Sequence, residues 1–257
     1  MTGKALIIGH RGASRDAPEN TLASFRLAFE QGAHGIEADF RLTRDGEIVC
    51  LHDDRTSRTA GGDLAVAQSS LDELRRLDAG GWKGERWCGE RIPTLKEVLD
   101  SLPPDRRLFI EVKCGAEIVA PLAAVLSAAS VQPDRIRLLA FSADLILAIK
   151  ERLPQWRACW LTDYRFRAGW RPSPGEVLET LRRIGADGLA SRSRSVLDRD
   201  FVAALRDDSR EIHVWTVDAL PEARRLVALG VDSIMTNRPA FLLAGLKRDA
   251  VRPGEPA

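Results

Sequence analysis

Short apolar runs of strand-like length recur along the chain and alternate with longer amphipathic stretches. Residues 4–10 (KALIIGH), 34–42 (HGIEADFRL), 47–52 (EIVCLH), 107–113 (RLFIEVK), 135–141 (RIRLLAF), 157–162 (RACWLT), 186–190 (ADGLA), 211–217 (EIHVWTV) and 232–237 (DSIMTN) read as strands. Between most of them the apolar positions change to a helical period: 21–33, 93–102, 118–129, 143–153, 174–186, 198–207 and 220–230. Asn20 is placed to cap the first of these helices, with Gly32 near its end, and Pro93 opens the second. Strand–helix alternation at this spacing predicts βαβ units and a parallel sheet.

Nine strand candidates are one too many for a (β/α)8 barrel, and the run HGIEADFRLTRDGEIVCLHD (34–53) removes the excess. Only TRDGE separates its two strands, and Asp-Gly between strands is a hairpin signal, so 47–52 runs antiparallel to its neighbour. Eight parallel staves remain, and about 250 residues is the usual size of a TIM barrel. The expected architecture is one catalytic TIM-barrel domain over 1–246, with a small insertion after the hairpin. Residues 53–106, rich in Gly and Trp, pass over the barrel mouth, and 247–257 is a frayed tail. A two-residue loop at Asp45-Gly46 would set Arg44 opposite Glu47 and Asp39 opposite His52, whereas a bulge would slip this pairing by one.

Composition narrows the functional classes. The 257 residues carry 38 basic and 37 acidic side chains, a net charge of +1 with no basic block, which argues against nucleic acid as a partner. The four cysteines (Cys50, Cys88, Cys114 and Cys159) form no zinc-ligand spacing, and we read them as free thiols in a reducing compartment. No signal peptide and no span of about 18 apolar residues is present, so a cytoplasmic location without integral membrane association is expected.

In such barrels reactive groups sit at the C-terminal ends of the staves. There the sequence places His10-Arg11 on stave one, Glu37 and Asp39 on stave two with His52 folded back by the hairpin, Glu111 and Lys113 on stave three, and Trp215 on stave seven. Each pair has a plain structural reading alone; their convergence on strand ends makes them a site. Three carboxylates without a thiolate suit a hard cation, Mg2+ or Ca2+. Arg11 and Lys113 would then balance a phosphate, and two imidazoles could exchange protons with a nucleophile and a leaving group. The implied reaction is metal-assisted phosphodiester cleavage. His34 precedes a stave and His213 lies deeper in the barrel, so both read as structural. Asp53 and Asp54 either orient His52 or begin the loop, and Trp82 and Trp87 either cover the mouth or line a groove.

GHRGASRDAPENT, GIEADFRLTRDGEIVCLHDD, ERIPTLKEVLD, FIEVK, HVWTVD and GVDSIMTNRP stand in order across residues 9–239. As a set they resemble the glycerophosphodiester phosphodiesterase family. The resemblance implies a TIM barrel, His10 and His52 as the general acid/base pair, and Glu37, Asp39 and Glu111 as ligands of one divalent cation. It implies Arg11 and Lys113 at the phosphate and Trp215 at the glycerol side. It implies hydrolysis of a small-molecule glycerophosphodiester to glycerol 3-phosphate and an alcohol. Glu19 and Asn20 would be supporting and capping residues. Asn237 stands where the family commonly has Asp, a departure expected to touch only a peripheral contact. Two rivals remain: a lysophospholipase D-type phosphodiesterase, which would need an apolar membrane-facing loop, and a non-catalytic binder of phosphorylated polyols.

Overall fold

The computed structural model describes residues 5–250. Its elements run β1 (Leu6–His10), α1 (Leu22–Glu30), β2 (Gly35–Leu42), β3 (Ile48–Cys50), α2 (Leu71–Leu74), α3 (Leu95–Asp100), β4 (Arg107–Val112), α4 (Val119–Ala128) and β5 (Ile136–Ala140). They continue through α5 (Ala143–Arg152), β6 (Arg157–Thr162), β7 (Arg165–Phe166), β8 (Trp170–Arg171), α6 (Pro174–Arg183), β9 (Gly188–Arg192), α7 (Arg199–Asp207), β10 (Glu211–Trp215), α8 (Leu220–Leu229), β11 (Ser233–Thr236) and α9 (Pro239–Ala250). Strands β1, β2, β4, β5, β6, β9, β10 and β11 pair in parallel in that order, and β11 returns to β1, closing a (β/α)8 barrel. β3 lies antiparallel on β2, outside the closed ring. All nine strand candidates are found, together with a short hairpin, β7–β8, that the apolar pattern did not reveal. α9 was also unforeseen: it carries 247–250, expected as tail, while 251–257 lie outside the described residues.

Side chains alternate across each stave, so one sequence serves two cores. On β2, Ile36, Ala38 and Phe40 face outward into the large core shared with the helices, while Glu37 and Asp39 turn inward. The inner core is a thin apolar layer of Ile8, Phe109, Leu139, Cys159, Leu161, Ala190 and Met235. By the same alternation Gly35 belongs to the inward set, and a side chain is excluded there because a Cβ would come within 2.6 Å of the Arg107 carbonyl oxygen. Four helices, α1, α2, α3 and α6, start in capping boxes at Thr21, Ser70, Thr94 and Ser173. Thr21, not Asn20, therefore caps α1; Asn20 adopts a left-handed backbone (φ 59°) and sends its side chain to Asp39 instead.

The hairpin register differs from the two-residue expectation. Phe40 pairs with Cys50 and Leu42 with Ile48, and the Thr43 N–H donates to the Glu47 carbonyl, so the loop is Arg44-Asp45-Gly46. Gly46 takes the left-handed φ of 86° that closes a three-residue loop, and the slip sets Leu51, not His52, against Asp39. His52 reaches the mouth by another route. Cross-strand bonding ends at Leu51, and the Arg41 guanidinium then holds the His52 carbonyl through Nε (3.0 Å) and Nη2 (2.7 Å).

Candidate active site

The closing pair β1–β2 sets His10 beside Glu37, and β2–β4 sets Asp39 beside Glu111. One oxygen each from Glu37, Asp39 and Glu111 lies within 4.8 Å of the other two, all at buried residues. After β1 the backbone turns left-handed at Arg11 (φ 56°) and Gly12 (φ 82°), which directs the Arg11 N–H to Glu37 Oε2 at 3.0 Å. Gly12 is required there, since a Cβ would lie 2.4 Å from Ser24 Oγ.

Asp39 anchors the charge balance. Arg11 Nε lies 3.1 Å from its Oδ2 and Lys113 Nζ 3.2 Å from its Oδ1, while the Asn20 amide donates at 2.8 Å. Burial works to raise this carboxyl, but Arg11 and Lys113 outweigh it and hold Asp39 at about 2. Burial, then the charge of Asp39, pushes Glu37 up to about 8 and Glu111 up to about 7. Lys113 pairs with Glu111 as well. Glu37 Oε1 is buried without a partner, and Asp39 Oδ1 is buried against the Lys113 ammonium alone. Unmatched buried acids are costly, and here the donor set is all oxygen, so the cluster fits a divalent hard cation better than zinc.

Both imidazoles are oriented from behind. His10 Nδ1 lies 2.8 Å from Asn237 Oδ1. The Asn237 amide group must present its NH2 to Asp218 Oδ2 (2.7 Å), which leaves its oxygen to accept, so His10 carries hydrogen on Nδ1. Asp218 also accepts from Thr236 Oγ1 and the Asn237 N–H, both at 2.8 Å. His52 Nδ1 donates to Asp53 Oδ1 at 2.6 Å. Each ring thus has its Nδ1 engaged, and His10 Nε2 lies 3.9 Å from Glu37 Oε2. Burial lowers the pKa of both histidines, with Arg11 adding to the effect at His10.

His10, Arg11, Glu37, Asp39, Glu111 and Lys113 therefore form one cluster. Trp215 stands at its edge: its ring meets Phe141 edge-on at 5.7 Å, and Lys113 Nζ lies 5.9 Å from the Phe141 ring. His34 accepts the Ile7 N–H, and His213 bonds Ser233 and Glu211 deep in the barrel, so both are structural. Asp53 orients His52, whereas the Asp54 carbonyl fastens the loop to Val66. Residues 82–86 lean on the loop after β1, with Lys83 donating to the Ser14 carbonyl and Arg86 to that of Asp16, so this stretch covers the rim. The expectation for Asn237 is corrected: because β11 pairs with β1, with Thr236 beside Gly9, residue 237 is the direct partner of His10. Asp218 escaped the sequence reading, although its place just past a stave end in HVWTVD was a usable signal.

Comparison with known proteins agrees with this geometry. A sequence profile of the glycerophosphoryl diester phosphodiesterase family matches residues 10–241. A glycerophosphodiester phosphodiesterase of Caldanaerobacter subterraneus subsp. tengcongensis is 32% identical over 93% of this chain and 97% of its own. Among solved structures, an Oleispira antarctica phosphodiesterase in complex with the product sn-glycerol-3-phosphate superposes with a TM-score of 0.85 at 29% identity, covering 95% of this chain and 97% of that one. A glycerophosphodiester phosphodiesterase from Agrobacterium tumefaciens gives 0.79 at 28% identity, covering 93% and 99%.

Proposed function

This chain belongs to the glycerophosphoryl diester phosphodiesterase family and is a glycerophosphodiester phosphodiesterase; on that premise we propose that His10 and His52 perform its acid/base chemistry around a phosphate held at the acidic cluster. Glu37, Asp39 and Glu111 would hold one divalent cation, Mg2+ or Ca2+. When bound, that ion supplies Lewis-acid polarisation of the phosphoryl group and offsets the charge of the three acids. Arg11 and Lys113, beside the acids, would grip the phosphate oxygens, Arg11 through its planar fork. One neutral Nε2 takes the proton of the attacking oxygen, from water directly or from the neighbouring glycerol hydroxyl in a cyclic phosphate that water then opens. The other imidazole, protonated beforehand, gives its proton to the alcohol oxygen as the P–O bond breaks. Asn237 and Asp53 keep each ring in the tautomer this exchange needs. Trp215 would stand against the glycerol moiety, and the products would be sn-glycerol 3-phosphate and an alcohol.

One observation carries this reading: three buried acids approach within 4.8 Å of one another, Glu37 Oε1 among them with no partner, beside an imidazole whose Nε2 lies 3.9 Å from Glu37. The test is a panel of glycerophosphodiesters, glycerophosphocholine and glycerophosphoethanolamine included, assayed for glycerol 3-phosphate release with Mg2+ and Ca2+ supplied separately. Release that stops with EDTA and returns with one of the two ions is expected. No release with either ion, or release indifferent to EDTA, refutes the assignment.

A further inference from the structure

The insertion does more than cover the mouth. Beneath it Val49, Leu51, Ala60, Val66, Leu74, Ala79 and Ile92 form a satellite core separate from the two barrel cores. That core fastens a tight turn at 56–60, in which Thr56 and Ala60 are buried and the Ala60 N–H donates to the Thr56 carbonyl at 2.9 Å. Arg58 stands on this turn, anchored on both flanks, with its guanidinium facing back toward the site. Its Nε donates to Asp53 Oδ2 at 2.6 Å and its Nη2 to Asp53 Oδ1 at 3.3 Å. The other edge binds Glu19, Nη1 to Oε2 at 3.0 Å and Nη2 to Oε1 at 2.8 Å.

Those two acids are the rear partners of two different site residues. Asp53 accepts from His52 Nδ1, and Glu19 accepts from Arg11 Nη1 at 2.8 Å. We propose that Arg58 is a positioning residue that braces His52 and Arg11 at once, through Asp53 and Glu19, so that the insertion aligns the proton-transfer group with the phosphate-binding group. This rests on the roles given above to His52 and Arg11. Without Arg58 two carboxylates would face each other unscreened, and each would turn to solvent, releasing the ring on one side and the guanidinium on the other. A lysine could not substitute fully, because a point charge cannot present paired N–H groups to two carboxylates.

The test compares the wild-type chain with Arg58→Ala, Arg58→Lys, Asp53→Asn and Glu19→Gln. Loss of a partner that orients a metal ligand costs about 10–100-fold, and a brace one residue further back is expected at the lower end of that range. Arg58→Ala should therefore lower kcat and raise KM together, by about tenfold overall. Asp53→Asn should act on kcat and Glu19→Gln on KM. Arg58→Lys should recover only part of the loss, and added guanidinium should restore Arg58→Ala. A readout independent of turnover is the 15N signature of the His52 ring: Nδ1-protonated in the wild type, a tautomer mixture in Arg58→Ala, with His10 unchanged. Unaltered kcat, KM and His52 ring in a folded Arg58→Ala overturn the proposal. So does a loss of activity that only tracks a lowered melting temperature while KM and the ring stay as in wild type. Should the wild type release no glycerol 3-phosphate, the functional reading fails, and the ring signature still decides whether Arg58 orients His52.

Discussion

At the N-terminal end of the barrel, Glu211 is met by Arg137 Nε at 2.6 Å, Arg157 Nη1 at 3.0 Å and His213 Nε2 at 3.1 Å. The other nitrogen of His213 lies 2.8 Å from Ser233 Oγ. At the opposite end, across the apolar layer, Glu37 Oε1 has no partner and Asp39 Oδ1 meets only the Lys113 ammonium at 3.2 Å. Both ends gather potential ligands: Cys159, Glu211 and His213 also approach within 4.8 Å of one another. Yet two arginines already neutralise Glu211, the imidazole is bonded through both nitrogens, and burial pushes the Cys159 thiol well up. A saturated cluster plugs the barrel; an unsaturated one has binding capacity left. Residual bonding capacity, more than residue type, separates site from scaffold here.

Several experiments can break that contrast, and the largest effects belong to the upper end. His10→Ala or His52→Ala should reduce turnover by at least about 10²-fold, while circular dichroism and melting temperature stay near wild type; near-normal turnover would remove the residue from the acid/base role. Glu111→Ala should abolish measurable heat of Mg2+ or Ca2+ binding in calorimetry, and an unchanged isotherm would exclude it as a ligand. Glu211→Ala should do the converse, lowering stability by about 2 kcal/mol through lost charged hydrogen bonds, read by urea unfolding, with kcat unaltered. An activity loss there without destabilisation would erase the distinction between the two ends.

The lower cluster also has a pH signature. Burial opposes ionisation of Glu211, but hydrogen bonds from His213 and Arg137 prevail and lower it to about 2. A depressed acid stabilises the fold above its ordinary range, and that contribution is lost as pH falls from about 4.5 toward about 2. Wild-type stability should decline through this window more steeply than that of Glu211→Gln, and parallel curves would show that the network does not form. The smallest effect concerns Asn237. Asn237→Asp would set a carboxylate against Asp218 and cost a few-fold in kcat, and adding Asp218→Asn should recover it by exchanging the two roles. A double variant no better than the single one would show that the pair does not orient His10.

Much of this was legible in the chain. The period-two runs separated by helical stretches fixed eight staves, and the odd positions of ExD and ExK fixed which charges point into the mouth. The hairpin register was not, because Asp-Gly suits both a two-residue loop and the three-residue loop that Gly46 closes here. Asn20 offered the residue type of a cap, but Thr21 took that role, and Asn20 serves Asp39 from a conformation no local pattern announces. Arg58 lies in a stretch without periodicity, where only packing on the satellite core determines its direction.

By itself the sequence determined the alternation of elements, the inward face of each stave and the chemical types gathered at the strand ends, since these depend on periodicities of a few residues. The tertiary structure alone decided who partners whom across the ring: Asn237 behind His10, Asp53 behind His52, and Arg58 behind both Asp53 and Glu19. Such pairings join residues up to 227 positions apart. They depend on barrel closure and on distances of a few tenths of an ångström, to which a hydrogen bond is sensitive and a sequence pattern is not.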